Sequence, residues 1–163
     1  WGRWPFTPRT GLLNGTSNGA NRDDASLNHE IRITDKPDDE DVQRVLSGLR
    51  EYNYSRVESD IRDLGIFVRD KGQIIAGLYG TSMWDWLHIK YLWVTSDHRK
   101  QGLGSKLMSL VEAEAQKRQC LGLHLDTFSF QALDFYLGLG FEVFGEIKDH
   151  PEGGRRYFLS KLI

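Results

Sequence analysis

The sequence predicts an α/β fold of the α+β kind, in which helices flank a mixed, mostly antiparallel sheet. The first observation behind this prediction is an apolar strand, Leu87 to Val94, which runs through a glycine-containing turn into a long amphipathic helix. The second is another apolar strand, 121–127, which follows that helix directly. The third is the presence, on both sides of this unit, of short strands joined by glycine-containing turns, which is typical of antiparallel hairpins.

Length and composition limit the class of protein. The 163 residues and the hydrophobic content of 39% indicate a single domain with a proper core. The formal net charge of −2 gives no general attraction to nucleic acid, so we expect no nucleic-acid partner. No apolar run approaches the ~18 residues that span a membrane, so we expect no membrane association either. Cys120 is the only cysteine, which excludes an internal disulfide and a cysteine-based metal site. We therefore expect a cytoplasmic protein that binds no metal.

The N-terminal part divides into an arm and the start of the domain. Residues 1–29 are rich in Gly, Asn and Thr without a sustained period, so we interpret them as an irregular arm or an engineered remnant. Residues 30–163 are predicted to form the single domain. In it, Glu30 to Thr34 alternates as a first strand, and acids near the start of 37–52 predict a helix there. A second, shorter helix is predicted around 56–64.

The remaining elements complete two hairpins around the central unit. A helix after the second apolar strand is predicted to end at a glycine, which easily takes the left-handed conformation of a helix cap. In chain order these elements are strands Ile66–Arg69 and Ile74–Thr81, the helix Phe130–Leu139 ending at Gly140, and strands Phe141–Ile147 and Arg155–Lys161.

The turn before the long helix has the chemistry of an anion site. The first N–H groups of a helix have no partner within it, and the aligned peptide dipoles make that end partly positive. Gly102 and Gly104 leave the backbone open there, while Arg99, Lys100 and Lys106 add positive charge, so we expect a phosphate or pyrophosphate ligand. The third glycine of a dinucleotide fingerprint and the Lys-Ser/Thr ending of a P-loop are both missing, so the common nucleotide motifs fit poorly.

Two segments together resemble a known family. The turn has the form R-x-x-G-x-G directly after a strand that ends in Val94, and Phe135 to Phe141 has the form F-Y-x-x-x-G-F. Both resemble the GNAT superfamily of acyl-CoA-dependent N-acyltransferases, over roughly Ile31 to Ile163. The resemblance implies a GNAT-like fold, in which the strands before and after the long helix form a central parallel pair that splays apart. It also implies acetyl-CoA as the cofactor.

The resemblance further implies which residues hold coenzyme A. The amides of the glycine turn would bind the pyrophosphate, and the main chain at the end of the preceding strand would pair with the pantetheine amides like an added strand. Ser129 and Gln131 occupy the region where many relatives carry a cofactor-contacting Asn. One of them replaces that Asn, or Ser129 only caps the following helix. The implied cofactor-binding residues are Trp93, Val94, Arg99, Lys100, Gln101, Gly102, Leu103, Gly104, Ser105, Lys106 and Ser129.

The same resemblance suggests two catalytic residues. Tyr136 matches the family tyrosine near the sulfur of coenzyme A and is the expected general acid; an aromatic core residue is the alternative. Histone-type members carry a Glu six residues before the Val that ends the central strand, and His88 occupies that position here. A histidine accepts a proton near neutral pH, so His88 is the expected base, with a structural or substrate-orienting role left open. His124 and Asp126 are further candidates that would act through water.

The acceptor side has weaker signals. GNAT enzymes border their acceptor with the early helical region, which implies lining residues at the end of the first helix, although a solvated helix end fits equally well. A Trp-Asp-Trp segment either stacks on and neutralises a cationic amine or packs at the rim of the sheet. The expected substrate-binding residues are Asn53, Tyr54, Trp84, Asp85, Trp86 and Asp126.

These observations lead to one expected function with alternatives. We expect an N-acetyltransferase that moves an acetyl group from acetyl-CoA to a primary amine of a small molecule by direct attack. A peptide or protein amine is the second choice of acceptor. The other readings are a noncatalytic module that binds or senses acyl-CoA and an interaction domain without a nucleotide ligand. Dimers are frequent in the family, so a homodimer stays open.

Overall fold

The computed structural model describes residues 30–163 of the chain. The expected irregular arm, residues 1–29, lies outside the described residues. By its internal contacts the chain divides into two units, Trp1–Val42 and Gln43–Ile163, and the second contains every strand of the sheet. None of the helices in the described part has both the length and the apolar character that a membrane crossing requires.

The segment that precedes the sheet departs from the prediction. Residues 30–34, predicted as the first strand, form no strand, and Ile33 is 96% exposed. A strand needs a neighbour that satisfies its backbone N–H and C=O groups, and an alternating pattern alone does not supply one. Helix α1, Asp39–Tyr54, begins with three acids as predicted. None of its residues is buried.

The second predicted helix, 56–64, is wrong. A turn follows α1, and strand β1 occupies Arg62–Asp70. The side chains of Leu64, Ile66 and Val68 are partly buried against the core. Their spacing of two residues is the period of a strand, and it prevails over the short helical pattern before it.

Six strands form one sheet in the order β1-β2-β3-β4-β6-β5. All neighbouring strands are antiparallel except β3 and β4, which are parallel, so the predicted mixed and mostly antiparallel fold is confirmed. After β1, the elements are β2 Gln73–Met83, β3 Trp86–Val94, a 3₁₀ turn Ser96–His98, α2 Leu103–Lys117, β4 Gly122–Phe128, α3 Leu133–Gly138, β5 Glu142–Lys148 and β6 Arg155–Leu162.

Helix α2 covers one face of the sheet and creates the core. Its apolar face, predicted from the helical spacing, is buried through Leu107, Met108, Val111 and Ala115. These side chains join a cluster of strand residues that point to the same face, among them Leu78, Leu87, Leu123, Leu125 and Leu159. The burial of these side chains fixes which face of each strand points inward, and so also fixes which residues point to the opposite face.

The parallel pair at the centre of the sheet opens after three residues. Strands β3 and β4 pair only from Trp86–Gly122 to His88–His124, which confirms the expected splay. The opening coincides with a bulge in β3, because Ile89 pairs with Gly80 and Tyr91 with Tyr79, leaving Lys90 as the extra residue. A bulge bends its strand and increases the local twist, so it turns the rest of β3 away from β4.

Candidate active site

A row of polar side chains crosses the sheet on the face opposite α2. The strand registers place one residue of each strand in this row, and its centre lies at the last pair before β3 and β4 separate. From edge to edge the row is Asp63, Thr81, His88, His124, Ser160 and Glu142. Polar side chains beside the opening between two parallel strands can contact a ligand that enters the opening.

Two stacked imidazoles form the centre of this row. The rings of His88 and His124 are nearly parallel, with 4.4 Å between their centroids. Burial lowers the pKa of both side chains, and the charge of His88 lowers the pKa of His124 further, while Asp126 partly opposes both shifts. Lys90 also lowers the pKa of His88. Both imidazoles are therefore neutral at pH 7, as a proton acceptor must be.

The carboxylate nearest to the two imidazoles already has a partner. Asp126 accepts a hydrogen bond from Nε of Arg156 at 2.7 Å, between two partly buried side chains. The Arg156 guanidinium also lies 5.4 Å from the ring centroids of Phe128 and Phe158. Sequence reasoning missed Arg156, because only the register between β4 and β6 brings it to Asp126. The expected contact of Asp126 with the substrate would have to share the carboxylate with this arginine.

Tyr136 is buried among the residues of the hydrophobic core. It is 8% exposed, and its ring meets the edges of Phe135 and Phe141 at centroid distances of 5.1 and 6.0 Å. Burial, and then the charge of Asp126, raises the pKa of its hydroxyl to about 12. The hydroxyl is therefore fully protonated at neutral pH and has a proton to give.

The glycine turn leads from the end of β3 into α2. Gly102 caps the helix in the left-handed conformation, at φ +80°, and no side chain caps the helix start. The first helical hydrogen bond runs from the Lys106 N–H to the Gly102 carbonyl, so the N–H groups of Leu103, Gly104 and Ser105 have no partner within α2. This is the cradle that a diphosphate requires, and the residues present fit the group.

The turn is held in shape by its own side chains. Nε of Arg99 donates to the Val94 carbonyl at 3.1 Å, and Nε2 of Gln101 donates to the Asp97 carbonyl at 2.9 Å. Lys100 stands at φ +58°, in the left-handed region that few side chains favour. The turn is therefore fixed before a ligand arrives, and its amides do not have to be reorganised.

The two glycines of the turn serve different purposes. A Cβ on Gly102 would meet open space, so what requires glycine there is the backbone angle. A Cβ on Gly104 would lie 3.3 Å from Cζ of Phe135, so that glycine allows α2 and α3 to pack closely. The interpretation of Gly104 only as an approach for a ligand was therefore incomplete.

Other predicted cofactor residues lie along the opening or near it. Trp93 and Val94 pair with β2 through Gly77 and Ala76, and beyond His88 the other edge of β3 has no strand partner among residues 30–163. Ser129 is tied to the start of β6 instead of capping α3, whose cap residue is Ala132. The cap interpretation of Ser129 is therefore wrong, and its contact with the cofactor stays a prediction.

The structure separates the members of the Trp-Asp-Trp segment. Trp84 and Asp85 form the tight turn between β2 and β3, both with positive φ. The Trp84 backbone N–H donates to Oδ1 of Asp60 at 2.8 Å, and its indole N–H donates to the Glu58 carbonyl at 3.2 Å. This pair lines a cavity with residues 57–60, whereas Trp86 stands edge-on to His124 at 6.2 Å. Only Trp86 is close to the histidines.

A second cavity lies directly beside the histidine pair. It has a volume of about 310 Å³ and is lined by Trp86, His124, Phe144 and Ser160. Phe144 and Ser160 were missed in the sequence, since only strand pairing brings the last hairpin next to β4. Asn53 and Tyr54, at the end of α1, line neither of these two cavities.

Comparison with known proteins agrees with this geometry. The family model described as the acetyltransferase (GNAT) family matches residues 28–141. An acetyltransferase, Atu2258, of Agrobacterium fabrum is 35% identical over 131 residues, which are 79% of this chain and 96% of that protein. The blasticidin-S acetyltransferase of Streptomyces morookaense is 38% identical over 95 residues, which are 58% of this chain and 70% of that protein.

A solved structure extends the likeness to the fold. The crystal structure of a putative acetyltransferase from Agrobacterium tumefaciens superimposes with a TM-score of 0.79 at 33% identity. The match covers 83% of this chain and 100% of that one. The opening between β3 and β4, the glycine turn and the buried tyrosine thus belong to a fold that this relative shares over its whole length.

Proposed function

The chain belongs to the acetyltransferase (GNAT) family of acyl-CoA-dependent enzymes, and from this premise we propose that it moves an acetyl group from acetyl-CoA to a primary amine of a small molecule by direct attack. The observation that carries the proposal is the opening between β3 and β4, with a pair of neutral imidazoles at its closed end and a helix N-terminus beyond its open end. We also propose residues 30–163 as the acyltransferase domain.

The binding of acetyl-CoA is assigned to the turn and to the free edge of β3. The N–H groups of Leu103, Gly104 and Ser105 would hold the pyrophosphate, with Arg99 and Lys100 supplying positive charge. The unpaired edge of β3 near Trp93 and Val94 would pair with the pantetheine amides, since an unpaired strand edge offers both donors and acceptors. Acetyl-CoA supplies an activated acyl group at the opening.

The reaction needs a neutral amine, an acceptor for its proton and a donor for the departing sulfur. A C–N bond forms between the amine and the acetyl carbonyl carbon, and the C–S bond of the thioester breaks. His88 takes the amine proton, because its pKa is lowered and its imidazole is neutral at pH 7. Tyr136 gives its proton to the sulfur, because its hydroxyl is protonated at neutral pH.

A small molecule is proposed as the acceptor on two grounds. The blasticidin-S acetyltransferase, a curated relative, is named for a small-molecule substrate. The cavity beside the histidines has about 310 Å³, at the low end of the ~300–1,000 Å³ that small-ligand sites occupy. A cavity of this size takes part of a small molecule.

The test is thiol release from acetyl-CoA with a panel of primary amines. Tyr136→Phe is expected to lower kcat by about a hundredfold or more, because general acid catalysis contributes at least that much. Its affinity for coenzyme A, measured by calorimetry, should stay unchanged. Tyr52→Phe, a change on the exposed α1, is the matched control. Tight coenzyme A binding without turnover of any amine would instead identify a noncatalytic acyl-CoA-binding module.

A further inference from the structure

The geometry points to the cavity lined by Trp86, His124, Phe144 and Ser160 as the acceptor subsite, which holds an uncharged, flat ring of an amine whose nitrogen is separated from the ring by a short alkyl chain. This inference rests on the proposed function and deepens it by naming the substrate class. We call this cavity the ring subsite.

The position of the ring subsite relates it to the chemistry. His124 lines the subsite, and its ring stacks on His88 with 4.4 Å between the centroids. A group in the subsite is therefore separated from the expected base, His88, by the ring of His124. The subsite is at the closed end of the parallel pair, where Trp86 pairs with Gly122. An acceptor seated there would extend its amine past His124 towards the opening, and a chain of two or three bonds would span that distance.

The chemistry of the walls selects flat apolar groups. Two of the four lining side chains are the aromatic rings of Trp86 and Phe144, and the third ring is the neutral imidazole of His124. Aromatic walls favour stacked or edge-on contact with another ring, and this adds to the gain from burying its surface. The Ser160 hydroxyl can donate to or accept from a single polar atom on such a ring.

The charges around the ring subsite disfavour a polycation. None of its four lining residues carries a carboxylate. Asp126, the nearest acid on the same face of β4, is paired with Arg156 at 2.7 Å. Glu142 pairs with Ser160 in the sheet but does not line the cavity. The expectation of a compact cation held by Trp84 and Asp85 is therefore replaced by a neutral ring held beside Trp86.

The backbone explains why the ring subsite keeps its shape. A Cβ on Gly122 would lie 2.7 Å from Cζ3 of Trp86, so the indole rests directly on the backbone of β4. Phe144 stands at the bulge between β5 and β6 and is 66% exposed. One wall is thus rigid and the other reaches into solvent, so Phe144 can be truncated without loss of the fold.

The experiment compares kcat/KM for tryptamine, butylamine and spermidine with saturating acetyl-CoA. We expect tryptamine to exceed butylamine by about tenfold, since ring burial and stacking together supply about that factor. Phe144→Ala should lower this preference at least threefold, mainly through KM, and Ser160→Phe, which fills the cavity, should lower it as well. Phe130→Ala, a change at a phenylalanine that is 64% exposed and does not line the cavity, should leave the preference unaltered.

The outcomes separate this inference from the proposed function. Turnover of amines with spermidine or butylamine favoured over tryptamine would overturn the ring subsite and leave the acetyltransferase intact. Equal preferences for tryptamine over butylamine in Phe144→Ala and Phe130→Ala would also overturn the ring subsite and leave the acetyltransferase intact. Absence of turnover with every amine would overturn the proposed function, and the ring subsite would fall with it.

Discussion

The imidazole of His88 is useful only while it is unprotonated, and its surroundings set the pH at which that holds. Burial and the positive charge of Lys90 lower its pKa, and Asp126 partly opposes them. The acid limb of kcat/KM, which reports the free enzyme, should therefore lie below pH ~6.5, the ordinary value for histidine. His88→Gln should remove this limb and lower the rate.

Lys90 offers a sharper version of the same measurement. Lys90→Met removes a charge that lowers the His88 pKa, so the acid limb of kcat/KM should move to higher pH. Lys71→Met, in the turn between β1 and β2, removes an equal charge away from the site and should leave the profile in place. If the acid limb of kcat/KM persists in His88→Gln, the general base is a group other than His88.

Single residues differ in how far the sequence could predict them. Tyr136 and His88 could be named because each stands at a fixed count within a local motif. Arg156, Phe144 and Ser160 could not, because their place beside β4 depends on the pairing of the last hairpin, and no local pattern specifies which strand it joins. The residues of a motif can be identified from the local sequence, whereas the residues that line a cavity depend on which strands pair in the folded protein.

The junction of α2 and α3 gives the two glycines of the turn separate tests. Gly104→Ala places a methyl 3.3 Å from Phe135 and should lower the free energy of unfolding by about 1–2 kcal/mol, as overpacking does. Phe135→Leu in the same chain should restore part of this loss. Gly102→Ala should cost about 1–2 kcal/mol through its left-handed angle, and Phe135→Leu should not relieve it.

Urea unfolding of the five variants, the three single changes and the two pairs, measures these effects. Equal rescue of both glycine variants by Phe135→Leu would show that the packing contact is not specific to Gly104. Coenzyme A affinity measured on the folded variants then reports what each glycine does for the ligand, apart from stability.

Secondary structure could be predicted where the hydrophobic pattern of a segment is supported by neighbouring elements that it pairs or packs with. The sequence of β3, α2 and β4 was anticipated because a buried strand, a glycine turn and a helical period reinforce one another. The strand at 30–34 and the helix at 56–64 were wrong because each rested on a short pattern alone. A short hydrophobic period does not indicate whether another strand or a packing surface will be available to that segment in the folded protein.

For the molecule as a whole, the two histidines link stability to pH. Their pKa values are lower in the folded state than in the unfolded chain, so the unfolded state takes up protons first as the pH falls. The stability present above pH ~6.5 should decrease below that value, until the folded-state pKa values are passed. Urea unfolding at pH 8 and at pH 5.5 measures the loss.

A variant that lacks both imidazoles separates their contribution from that of the acids. The double change His88→Gln and His124→Gln should lose less stability between these two pH values than the natural chain, whatever its starting stability. Acids such as Asp63, whose pKa is lowered by hydrogen bonds from Tyr79 and Thr81, lose their contribution only at more acidic pH. An equal loss in both proteins would mean that the imidazoles do not govern the decrease.

The extra residue in β3 has a consequence for how this protein tolerates change. Before Lys90 the inward side chains are Leu87 and Ile89, and after it they are Leu92 and Val94, so the parity of the strand switches at that one position. Excising Lys90 would place Tyr91 directly after Ile89, so Leu87, Ile89, Leu92 and Val94 would alternate regularly and the inward face of the strand would be kept. The strand would lose only the bend and extra twist of the bulge. A frame-preserving loss of the codon for this solvent-exposed residue would therefore spare the core and instead reduce the divergence of β3 from β4.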